Sequence, residues 1–125
     1  MRLVAVLVLA VLLLASCGNG SGKLYSLEKT RSCLIGKNVR LGGPLDFVAT
    51  TATGGALKAH PGSNTVTVVF GQTIADADNI NQIYHRVAAK NVGIEDVLRQ
   101  ERNAVMLWHE HPSNDDLATI TGCLK

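Results

Sequence analysis

Aromatic side chains are scarce. The 125-residue chain has five, Tyr25, Phe47, Phe70, Tyr84 and Trp108, and they are scattered rather than interleaved with Arg and Lys. That is a poor supply of stacking platforms for single-stranded nucleic acid or sugar rings. Charge of one sign is lacking too, since 12 Lys and Arg stand against 10 Asp and Glu. So even a balance sets up no field to draw in a polyanion, and nucleic acid is not an expected partner. Catalytic signatures are also missing: Ser and Thr are plentiful, yet no Gly-x-Ser-x-Gly elbow occurs. Gly42-Gly43 and Gly54-Gly55 lack the strand-loop-helix setting of a phosphate cradle and read as tight turns. The longest uncharged apolar run, residues 3–15, has thirteen residues, well short of the ~20 a membrane-spanning helix needs.

That run is nonetheless the most informative stretch present. Met1-Arg2 supplies one positive charge, residues 3–15 an apolar core of signal-peptide length, and Ala15-Ser16 small side chains near a cleavage point. Cys17 follows, then Gly18-Asn19-Gly20-Ser21-Gly22 with no basic stop-transfer cluster. In Leu14-Ala15-Ser16-Cys17 the sequence resembles a bacterial lipoprotein precursor at its lipobox. The resemblance covers residues 1–17 only. It implies cleavage before Cys17, a thioether-linked diacylglycerol on its sulfur, and a protein held to the cell membrane or outer membrane on the extracytoplasmic side. Gly18 stands where an Asp would resemble an inner-membrane retention signal, so outer-membrane sorting is the expectation in a two-membrane envelope. An ordinary signal peptide cut between residues 15 and 18 would instead release a freely secreted domain.

Cysteine arithmetic agrees with the anchor. An exported protein with three cysteines has one odd thiol. Lipidation of Cys17 would use it and leave Cys33 and Cys123 as candidates for a disulfide in an oxidising compartment, with two buried free thiols as the alternative. Such a bond would close a loop of about 90 residues and stabilise the fold by up to ~4–5 kcal/mol on the chain-entropy model.

Three segments follow: 1–16 as leader, 17–23 as lipidated Cys and flexible tether reaching about 14 Å on average, and 24–125 as one domain. Cleavage removes Arg2 and leaves 109 residues carrying 11 basic and 10 acidic side chains, enough for a modest core. Ser26 predicts a helix cap over 26–35, with Gly36 ending the helix in a left-handed turn. Residues 39–41, 45–50, 56–59 and 65–70 read as strands. The last has β-branched side chains at five of six positions and belongs in the middle of the sheet. Ala77, Ile80, Ile83, Tyr84 and Val87 make one apolar stripe over a helix at 76–91, begun at Thr73 or Asp76. Residues 99–103 read as a charged connector, 104–108 as a buried strand, and Ser113 opens a last helix.

The order α-β-β-β-β-α-β-α predicts an α+β two-layer sandwich, similar in outline to ferredoxin-like folds. It would hold one mixed, mainly antiparallel sheet of about five strands, with three helices on one face. The first and last helices would then be neighbours, stapled by Cys33 and Cys123.

Site signals are weak. His109 and His111, at i, i+2 beside Glu110 and before Pro112, could hold zinc or copper with His85 or His60 as third ligand. Polar residues orienting the Ser113 cap are the plainer account. Trp108 reads either as a core residue or as the wall of a pocket shared with His109. Glu95-Asp96 and Asp115-Asp116 fall near helix starts, where the dipole explains them. No catalytic residue or cofactor is expected. The whole points to a lipid-anchored, non-enzymatic binding or structural module of the bacterial envelope. Its partners would be the membrane through Cys17 and an envelope protein still to be identified; the alternative is a metal-binding envelope protein using His109 and His111.

Overall fold

In the computed structural model the described residues are 23–88 and 93–125. The leader, Cys17 and the tether up to residue 22 lie outside them. The chain runs α1 (Leu27–Gly36), β1 (Arg40–Leu41), α2 (Phe47–Thr50), β2 (Ala56–His60), β3 (Val66–Phe70), α3 (Ile74–Val87), α4 (Ile94–Val97), β4 (Leu98–Glu101), β5 (Ala104–Trp108) and α5 (Asn114–Gly122).

The β-branched run forms β3, third of five strands in an open sheet ordered β1-β2-β3-β5-β4. Every adjacent pair is antiparallel, with Val68 opposite Leu57 on one side and Met106 on the other. Strands β3 and β4 flank β5 and so run in the same direction; α3 and α4 carry the chain over β5 between them. The fold is α+β, as its alternating patterns predict.

The layering differs from the predicted two-layer sandwich. Val66, Val68, Phe70, Ala104, Met106 and Trp108 pack toward α1 and α5, while Val69 and Val105 pack toward α2 and α3. Helices therefore cover both faces, a departure from the ferredoxin-like outline with all helices on one side. The reason is visible in β3, whose five residues are all buried. A strand that is apolar on both faces must be covered on both.

Two local assignments also change. Residues 45–50 form no strand, because the Asp46 carboxylate accepts from the Ala49 N–H at 2.8 Å and caps the single turn of α2. Residues 98–101, three of which the charge pattern assigns to a connector, form β4. Arg102, at φ 51°, and buried Asn103 make the turn into β5, and the charged Arg99 and Glu101 suit an exposed edge. Ser26, Thr73 and Ser113 cap α1, α3 and α5 through their hydroxyls. The left-handed turn after α1 falls at Asn38, φ 59°, rather than at Gly36.

On the α1 and α5 face, Cys33 and Cys123 are disulfide-bonded, with Cα atoms 5.4 Å apart and a sequence separation of 90. The Ser26 N–H donates to the Lys125 carbonyl at 2.6 Å close by. Among the described residues no helix is long and apolar enough to cross a membrane.

Candidate functional site

The opposite face is less tightly closed. Its apolar layer, Val48 and Ala49 from α2, Val69, Val105 and Leu98 from the sheet, and Ala77, Ile80 and Tyr84 from α3, stops short of the end of β5. A cavity of about 450 Å³ opens there, within the size range of small-molecule sites. Phe47 and Val48 line it from α2, Val87 and Ala88 from the end of α3, Ile94 and Val97 from α4, and Leu107 from β5. Its polar corners are Asp46, Tyr84 and His109.

Sequence and geometry place these groups together for identifiable reasons. Asp46 sits at the head of α2 because it caps it. Tyr84 lies four residues after Ile80 on the inner stripe of α3, so its ring is buried while its hydroxyl reaches Asp46. That O–H lies 3.0 Å from Oδ1 and 2.9 Å from Oδ2. Burial, and then the carboxylate acceptor, push the Tyr84 hydroxyl far above the ordinary tyrosine value, so it stays a protonated donor. His109 follows β5 and its N–H donates to the Thr65 carbonyl at 2.8 Å. The rim is apolar and open to solvent: Phe47 is 81% exposed and Val87 66%. The stripe expected to bury Val87 with Tyr84 turns that side chain outward.

The wall formed by α4 is held on two sides. His85 Nε2 lies 2.9 Å from Glu95 Oε1, and His111 Nδ1 lies 2.6 Å from Asp96 Oδ1. The Asn81 carbonyl, and to a smaller extent Glu95, raise the His85 pKa against the opposing effect of burial. The Arg99 guanidinium donates to the Glu95 and Asp96 carbonyls. All four pairing side chains are exposed, so these contacts orient α4 more than they stabilise it.

His109 and His111 both lie beside α4, His109 at the cavity and His111 on Asp96. The proposed third ligands are engaged elsewhere: His60 contacts Thr65 Oγ1 and the Gly42 carbonyl, and His85 contacts Asn81 and Glu95. Among the described residues no three His, Cys, Asp or Glu side chains are grouped to hold a metal ion. Trp108 is 2% exposed, packs in the core toward α1 and α5, and also borders the cavity. Ser26 and Lys29 have Ser-x-x-Lys spacing, but the Ser26 hydroxyl accepts from the Lys29 N–H as a helix cap. Asp46, Tyr84 and Phe47 are the site residues the sequence did not disclose. The signal that could have found them was an Asp followed by Phe-Val-Ala-Thr, a capped helical turn with its first aromatic outside the apolar stripe.

Chemically, the arrangement can accept a largely apolar molecule and offer it one carboxylate, one buried phenol and one imidazole. Compared with protein-family models, curated proteins and solved structures, the chain finds no match.

Proposed function

We propose that the protein is a lipid-anchored, non-enzymatic binding module on the extracytoplasmic side of a bacterial envelope, and that its ligand is a small apolar molecule seated in the cavity between α2, α3, α4 and β5. The observation that carries the binding reading is the cavity itself, walled by apolar side chains and rimmed by exposed Phe47 and Val87. Exposed apolar surface around a concavity is the usual mark of a binding site. The anchor is supported by Leu14-Ala15-Ser16-Cys17, and export by the pairing of Cys33 with Cys123, a bond that persists in oxidising compartments.

The described chain begins beside the turn between β4 and β5: Arg102 Nη1 donates to the Lys23 carbonyl, and the Tyr25 N–H donates to Asn103 Oδ1. Asn103 and His109 lie at opposite ends of β5, about 20 Å apart at the rise of an extended strand. Lys23, through which a tether from Cys17 would join the domain, lies at the end of the sheet away from the cavity. The ligand reaches the site from the aqueous side.

Two measurements test this reading. Cells expressing the full chain and fed a labelled fatty acid should yield labelled protein, and Cys17→Ser should yield none; unlabelled wild type overturns the anchor. The anchor-free domain should bind the neutral fluorophore N-phenyl-1-naphthylamine saturably. Ile94→Trp, which fills the cavity, should abolish that binding while melting cooperatively. Absent or non-saturable binding by the wild type, or undiminished binding by the folded variant, overturns the cavity as the site.

A further inference from the structure

The polar lining of the cavity is one-sided. Among the described residues its only acid is Asp46, and neither Lys nor Arg contributes to the wall. Asp46 is exposed and takes part in no ion pair among the described residues. Oδ1 accepts from the Ala49 N–H and the Tyr84 O–H, whereas Oδ2 accepts from Tyr84 alone and keeps lone-pair capacity for another donor. The phenol beside it is held protonated, so it adds no second negative charge. A carboxylate ligand would meet Asp46 with no Lys or Arg among the described lining residues to offset it. An ammonium head would find a ready acceptor at the edge of an apolar chamber.

We infer that the cavity selects a cationic amphiphile, an apolar chain or ring carrying one ammonium head that seats on Asp46 Oδ2. This rests on the reading of the cavity as the binding site and names its ligand class. The apolar walls supply most of the affinity through buried area. The charged hydrogen bond supplies the selectivity.

The test uses calorimetric titration of the anchor-free domain with octylammonium, octan-1-ol and octanoate, which share one chain and differ in the head. Octylammonium should bind roughly three- to tenfold tighter than octan-1-ol, the gain expected from one charge-assisted hydrogen bond at a partly open site, and octanoate weakest. Asp46→Asn retains a good helix cap and an oxygen for Tyr84, so the fold should persist while octylammonium affinity falls to that of octan-1-ol. Equal binding of octylammonium and octan-1-ol, preference for octanoate, or undiminished selectivity in Asp46→Asn overturns the ammonium site and leaves the cavity reading intact. No binding of any of the three overturns both.

Discussion

The two faces of the sheet are built from the same alternating strands, yet they are closed differently. The face under α1 and α5 buries Leu34, Phe70, Met106, Trp108 and Ile120 almost completely and adds a covalent staple between its two helices. The face under α2, α3 and α4 relies on two single-turn helices and one long one, leaves a chamber at the end of β5, and puts Phe47 and Val87 in solvent. The contrast teaches a division of labour. On the proposed reading, one face supplies stability and lets the other keep an incompletely filled layer for a ligand.

The comparison breaks most visibly at the disulfide. Replacing Cys33 and Cys123 together with Ser should lower unfolding free energy by up to ~4–5 kcal/mol on the chain-entropy model for so long a loop. Denaturant unfolding checks this, and ligand affinity of the fraction still folded should be unchanged. A core truncation on each face sharpens the contrast. Met106→Ala should cost about 2–5 kcal/mol, and Leu107→Ala, beside the chamber and partly exposed, about 1–2 kcal/mol. Equal losses for the two neighbours on β5 would mean both faces are equally filled.

A smaller effect is expected at the buried phenol. Tyr84→Phe should cost about 1 kcal/mol at neutral pH by removing the hydrogen bond to Asp46. Because folding raises the Tyr84 pKa above the ordinary tyrosine value of about 10, its contribution is complete below that pH. It is lost as pH rises further, since only the unfolded chain ionises there. Wild type should therefore lose stability more steeply than Tyr84→Phe above pH 10, as read by urea melts. The smallest effect on stability belongs to the rim. Phe47→Ser should stay within about 0.5 kcal/mol of wild type yet weaken N-phenyl-1-naphthylamine binding, which would separate a ligand surface from a structural one.

Much of the scaffold was legible in the sequence because its signals are local. Ser26, Thr73 and Ser113 mark helix starts with their own hydroxyls, and the β-branched run of β3 marks the central strand. Cys33 and Cys123 fall on the first and last helices, as their pairing requires. What misled was tertiary. The fully buried, largely β-branched run of β3 implies cover on both faces, whereas the crossover pattern alone predicts every helix on one side. The pattern at 45–50 suits a strand by composition, and a single carboxylate at Asp46 made it helical. The cavity was legible only in part. The sequence offers His109 and Trp108 as pocket walls, but Asp46 and Tyr84 are 38 residues apart in sequence and meet only because α2 and α3 share a face. No spacing rule reports such a meeting.

The central claim, that one face stabilises and the other binds, is tested most directly by following backbone amide shifts of the anchor-free domain during titration with octan-1-ol. The account predicts saturable shifts at Val48, Tyr84, Ile94, Leu107 and His109, with Leu34, Ile120 and Cys123 unmoved. Shifts centred on the stapled helices, or none at all, would contradict it.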